Sequence, residues 1–182
     1  AHAAAAVREA TLHGRDALTW SNGRMLLSVL QGGGFIGEVR LTTGRERVDL
    51  SPMRVPHYPT IDPYAFDYAR DGERYGTDVQ ARLMAGYMGH FTCFPQFGNQ
   101  PEEFKAADYN QHGEALAVKW QRERAAAGTL SMSAELPRTR YRFARDITML
   151  PDETVAYVTE TATNRMLQDR PLQWVQHVTI GP

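Results

Sequence analysis

Two histidines border apolar segments of this chain: His112 in DYNQHGEALAVKW, residues 108–120, and His177 in PLQWVQHVTIGP, residues 171–182. An imidazole titrates nearer neutrality than other unperturbed side chains and, when uncharged, offers one donor and one acceptor. Two of them facing one ligand could orient hydroxyls or move a proton. Taken singly, each also reads as a satisfied structural or surface histidine. Arg54, in the proline-rich SPMRVPHYPTIDPYAF at 51–66, adds a planar donor fork on a loop that also carries His57, Tyr58, Asp62 and Tyr64. That loop reads equally as one packed by its own aromatic residues.

Other chemistries find less support. No HExxH or close HxH cluster is present, and His112 and His177 lie 65 positions apart, so spacing alone does not mark a metal site. The chain has no GxSxG elbow, and Cys93 in FTCFPQFG reads as a buried thiol among Phe91, Phe94 and Phe97. Asp62, Asp67, Glu114 and Asp169 could converge as paired carboxylates, but their positions fix no separation. Gly32, Gly33 and Gly34 lack the downstream Gly-Lys-Ser/Thr of a phosphate loop and predict a bend, bulge or close strand crossing.

The elements that would position these residues are mostly strands. ALTWSNGRMLLSVL, residues 17–30, flanks Asn22-Gly23 with apolar runs and predicts a β-hairpin. TLSMSAEL, YRFARDITML and TVAYVTETA alternate with period two, with Pro151, Asp152 and Glu153 as turn residues between the last two. ALAVKW, residues 115–120, reads as a further strand with His112 at its entrance, and WVQHVTI as one with His177 inside it. A short helix is expected around Thr77 to Met84, with Asp78 in its first turn and Gly86 near its end, and Met84, Tyr87 and Met88 as packing groups. At least six strands against one helix make a mainly β fold, an antiparallel β-sandwich.

Composition sets the outer bounds. The 182 residues, 42% apolar and 23% charged, suit a single domain spanning 1–182, and no composition break divides it. The end on HVTIGP, just leaving a strand, reads as an incomplete sandwich. A net charge of -1 gives no reason to expect nucleic acid or an anionic membrane as partner. Only two of the 20 basic residues are lysine, a bias that genomic base composition explains as well as function does. One cysteine excludes an intrachain disulfide and a cysteine-rich metal site, and no apolar run is long enough for a membrane helix. Cytoplasm is the default location.

NQHGEALAVKW at 110–120, the series YRFARDITMLPDETVAYVTETATN and RPLQWVQHVTIGP at 170–182 together resemble the galactose mutarotase-like, or aldose 1-epimerase, superfamily. The resemblance implies a large β-sandwich of galactose mutarotase-like type and a sugar site without a redox or nucleotide cofactor. It implies that His112, followed by Gly113, binds the sugar, that His177 supplies a proton at the ring oxygen, and that Arg54 contacts hydroxyls. A carboxylate would take the proton of the anomeric hydroxyl, opening the ring so that rotation and closure yield the other anomer. In the family that carboxylate follows the second histidine, whereas no Glu or Asp follows His177 here. Glu114, beside the first histidine, does not match its position.

Three functions therefore stand side by side at this level. The first is an aldose 1-epimerase-like protein that binds a mono- or oligosaccharide and turns it over if a carboxylate is supplied. The second is a non-catalytic carbohydrate-binding module, with Tyr58, Tyr64 and Trp174 as flat apolar surfaces. The third is a structural β-domain that associates with another copy or with a further segment of polypeptide.

Overall fold

A computed structural model describes residues 6–42, 51–99, 110–126 and 128–181, together with Glu102 and Ala106. The period-two segments become β7 (Thr129–Leu136), β8 (Tyr141–Thr148) and β9 (Tyr157–Asn164), which with an additional edge strand, β6 (Gln121–Ala126), form one antiparallel sheet in the order β6-β7-β8-β9. Every second side chain of β8 is buried, and β7 follows the same alternation with Ser133 buried in addition, which is the pattern of a sheet with one face toward a core.

The second sheet holds six strands in the order β1 (Arg8–Leu12), β2 (Arg15–Ser21), β3 (Met25–Leu30), β4 (Ile36–Leu41), β5 (His90–Cys93) and β10 (Val175–Val178). Here the apolar runs are nearly continuous because both faces are covered. Leu18, Trp20, Leu27 and Val29 meet Leu130, Met132, Phe143 and Ile147 of the first sheet. Ala17, Leu30, Phe91 and Cys93 pack on the outer face with Leu83 of α2 (Ala81–Gly86), Met88 and Leu116. The architecture is thus a mainly β domain of two antiparallel sheets, consistent with a β-sandwich.

The predicted hairpin is present as β2 and β3. Asn22 keeps a negative φ and caps the turn through Oδ1, which accepts from Arg24 and Met25 N–H at 3.0 and 2.8 Å, while Gly23 takes the positive φ of 89°. The three glycines are sites of close approach. A Cβ on Gly32 would overlap Asp62, one on Gly33 would overlap the Leu116 carbonyl, and one on Gly34 would stand 2.7 Å from Trp120.

Two expectations need correction. ALAVKW is not a strand: Ala115–Ala117 form a 3-10 turn, and the Trp120 indole N–H donates to Ala115 O at 2.8 Å, closing the segment on itself. Its apolar residues fill the core around the glycine bend rather than a sheet face, with Gly33 N–H donating to Val118 O at 2.8 Å. The helical region also differs. It contains α1 (Tyr68–Tyr75), capped by Asp67 Oδ1 accepting from Ala69 and Arg70 N–H, and then α2, which starts three residues after Asp78.

Candidate functional site

His177 lies in β10 directly opposite Phe91 of β5, and antiparallel pairing brings their rings into a stack 4.5 Å apart at 11°. Both point away from the four-stranded sheet, since alternate residues of a strand take opposite faces. His112 arrives by a different route. Asn110 anchors its turn, with Oδ1 accepting from His112 N–H at 2.9 Å and its carbonyl accepting from Gly113 N–H at 2.9 Å. Gly113, at φ 85°, lies against the Phe94 backbone so closely that a Cβ would overlap it. His112 is therefore positioned by a turn pressed onto the end of β5, not by a strand.

The two imidazoles meet, with ring centroids 5.7 Å apart. Phe97 covers them, 5.4 Å from His112 and 6.3 Å from His177, and Tyr87 stands 5.9 Å from His177. Phe97 is itself held by donating its N–H to Gln173 Oε1 at 2.8 Å. The Tyr87 hydroxyl and Thr179 Oγ1 are 2.9 Å apart, and Thr179 Oγ1 lies 3.4 Å from His177 Nδ1. An aromatic wall thus borders two ring nitrogen pairs.

Burial lowers both imidazoles. His112 is brought down from 6.5 to about 4, by desolvation first and then by the nearby His177, and its Nδ1 is buried without a hydrogen-bond partner. His177 is also lowered by desolvation, more than the backbone bond it makes can offset. Near neutral pH His112 is uncharged, so it acts as a donor–acceptor rather than as a cation.

Compared with protein-family models, curated proteins and solved structures, the chain finds no match. The reading of the site therefore rests on its own geometry.

Arg54 lies beside this corner. Its backbone N–H donates to Thr179 O at 3.0 Å and its carbonyl accepts from Gly89 N–H at 2.9 Å, so the segment flanks the end of β10, while the side chain is exposed. The guanidinium opposes the rise that burial causes in the Tyr58 phenol, which places its charge near that ring. No hydrogen bond from Arg54 to either imidazole occurs among the described contacts. The rest of its loop is anchored on other elements: Tyr58 Oη donates to Met84 O of α2 at 2.9 Å, and Asp62 accepts from the buried Arg15 of β2 at 2.6 Å.

The carboxylates singled out in the sequence have structural work where their contacts are described. Glu114 is buried and accepts from Arg138 N–H, Thr139 N–H and Thr139 Oγ1 at 2.7–2.9 Å. Asp67 caps α1 and Asp62 holds Arg15. Trp174 faces the other side of β10, where its indole donates to Glu160 at 2.9 Å, so it is not part of the histidine corner. Burial raises the Cys93 thiol to about 12, which leaves it protonated and a poor nucleophile. No group of three or more His, Cys, Asp or Glu suited to a metal occurs among the described residues. Nor is any described helix long and apolar enough to cross a membrane.

Sequence reasoning missed His90 and Gln176, on the inward face of β5 and β10, and Glu160, which faces them from β9 of the other sheet. His90 Nε2 lies 2.7 Å from Gln176 Oε1, and burial and then Arg145 lower this imidazole to about 4. Arg145 is wholly buried; it donates to Glu160 at 2.7 Å and Thr92 Oγ1 at 2.6 Å, and stands 4.7 Å over Trp120. Glu160 is pushed up by burial, but Arg145, Thr92 and Trp174 outweigh that, and its net shift is downward. This is an ionic node between the sheets, with Arg145 sealed inside and Glu160, Trp174 and Gln176 at an open cleft. Period-two spacing in ARDIT and VTETA marks Arg145 and Glu160 as inward-facing, which is the one local signal those two carry.

Proposed function

We propose that the chain is an aldose 1-epimerase-like carbohydrate-binding protein whose site is the His112–His177 corner. The observation that carries this reading is the meeting of two imidazoles, 65 positions apart in sequence, at 5.7 Å beside Phe91 and Phe97. A sugar presents alternating C–H patches and hydroxyls. Aromatic faces suit the former, and imidazole nitrogens supply both donors and acceptors for the latter.

In this reading His112 orients hydroxyls and the His177 N–H donates toward the ring oxygen, with Arg54 at the rim. Ring opening also needs a base for the anomeric proton, and no described carboxylate contacts either imidazole. Turnover therefore depends on a carboxylate from outside the described residues. Binding without turnover is the second reading, favoured by the structural engagement of Asp62, Asp67 and Glu114.

Titration calorimetry over a panel of aldoses tests binding: saturable heat is expected, reduced at least tenfold in affinity by His112→Ala, which corresponds to about 1.4 kcal/mol. Absence of heat with every member would remove the carbohydrate reading. Polarimetry of anomer interconversion separates the two readings, because only an epimerase accelerates it and loses that acceleration in His177→Asn.

A further inference from the structure

The connection from β9 to β10 ends on RPLQ, residues 170–173, and Arg170 ties it to the four-stranded sheet. Its guanidinium lies 5.0 Å over the ring of the buried Tyr141, and Nη1 donates to the Thr139 carbonyl and, at 3.5 Å, to Met166 Sδ. An arginine stacked and bonded in this way has little freedom left to lose when it takes a ligand. Among the described residues none accepts from its Nε or Nη2, so one edge of the fork is left over.

Arg170 lines a cavity of about 350 Å³ together with Thr139 and the apolar walls Pro95, Pro171 and Leu172. Because Nη1 is already engaged with Thr139, the Nε–Nη2 edge is the part of the fork that can meet an occupant. Gln173 adds an amide: its N–H and Oε1 are used on Pro95 O and Phe97 N–H, at 2.8 Å each, which leaves Nε2 as a donor. All these residues are internal to the chain, with described neighbours on both sides. The chain leaving β10 departs from the opposite end of that strand, where Thr179 and Gly181 bond to Arg54 and Pro52.

Charge selects the occupant. The turn and loop that frame the cavity, 137–140 and 165–170, carry Arg138, Arg140, Arg165 and Arg170 against one carboxylate, Asp169. Glu114, bonded to Thr139, is buried with both oxygens taken by N–H and O–H donors, and Glu135 is turned to Arg142 and Arg165. Two parallel N–H donors on one guanidinium edge match the two oxygens of a carboxylate. A tetrahedral phosphate calls for more cationic donors than the one fork that lines the cavity. The volume lies at the small end of the roughly 300–1,000 Å³ usual for ligand sites, which suits a single ring or short branched chain.

We propose that this cavity is a binding site for a small monocarboxylate with a compact apolar body, its carboxylate held by the free edge of Arg170 and its body between Pro95, Pro171 and Leu172. The site is separate from the histidine corner, because neither imidazole lines it. It takes a charge, where the sugar reading needs only hydroxyls, so the two stand or fall independently.

Benzoate, with benzamide as its uncharged match, tests this by NMR of the arginine side chains and by titration calorimetry. Benzoate should shift the Arg170 Nε–H resonance saturably, benzamide should bind roughly tenfold or more weakly, and benzoate binding should survive His112→Ala. Arg170→Met should weaken benzoate by roughly tenfold or more with an unchanged circular dichroism spectrum. Leu172→Asp, on an exposed wall, should do the same by placing a competing carboxylate at the mouth while leaving Arg170 in place. An Arg170 resonance that does not respond, benzamide binding as tightly as benzoate, inorganic phosphate displacing benzoate at equal concentration, unchanged affinity in either cavity variant, or loss of binding in His112→Ala would each overturn the proposal.

Discussion

The imidazoles make pH the most direct probe of individual residues. His90 and His112 are both lowered from 6.5 to about 4. The unfolded chain then binds more protons than the folded one between those values, so their contribution to stability is complete above about 6.5 and is lost as pH falls toward 4. Denaturant titrations across that window should show stability decreasing with acid, and His112→Asn should flatten part of the slope. An unchanged slope in that variant would mean His112 is not desolvated as described. The pairing of His112 with His177 could be anticipated only through a family resemblance, because no local spacing joins residues 65 positions apart. Phe91, Phe97 and Tyr87 were not foreseeable as its walls: which ring stacks on His177 is decided by the β5–β10 register, a non-local fact.

Elements were legible where one face meets solvent and the other a core. β7 and β8 announce themselves by alternation, and the β2–β3 hairpin by Asn22-Gly23 between apolar runs. β1 and β6 escaped notice because edge strands rich in charge lack that contrast, and α1 because its sequence, YARDGERY, is mostly polar and rests on the Asp67 cap. ALAVKW misled because a short continuous apolar run also suits a turn sunk into a core, with Ala115, Leu116 and Trp120 all buried. The turn before it gives a sharp test. Gly113→Ala forces a side chain into a positive φ and against the Phe94 backbone, and should cost about 1–3 kcal/mol of stability in chemical denaturation. It should also move the imidazole resonances of His112, since the same turn aims that ring.

At the scale of the whole molecule, the sheets are held by an apolar core crossed by one ionic node. Glu160→Gln leaves the Arg145 guanidinium buried without its anion and should cost about 3–5 kcal/mol, read from the denaturation midpoint. Arg145→Met should cost less, because Thr92, Trp174 and Gln176 still donate to the carboxylate. Combining the two substitutions should recover part of the loss. The node also bears on how the chain is threaded. Arg145 stands directly opposite Glu160 in the β8–β9 pairing, with Thr159 and Thr161 on either side. A slip of β9 by one residue turns all its side chains over, and a guanidinium sealed between the sheets would then face threonine. The ion pair is a checksum on strand alignment: β9, with its repeated threonines, could read several registers as equivalent, and only one of them balances the buried charge.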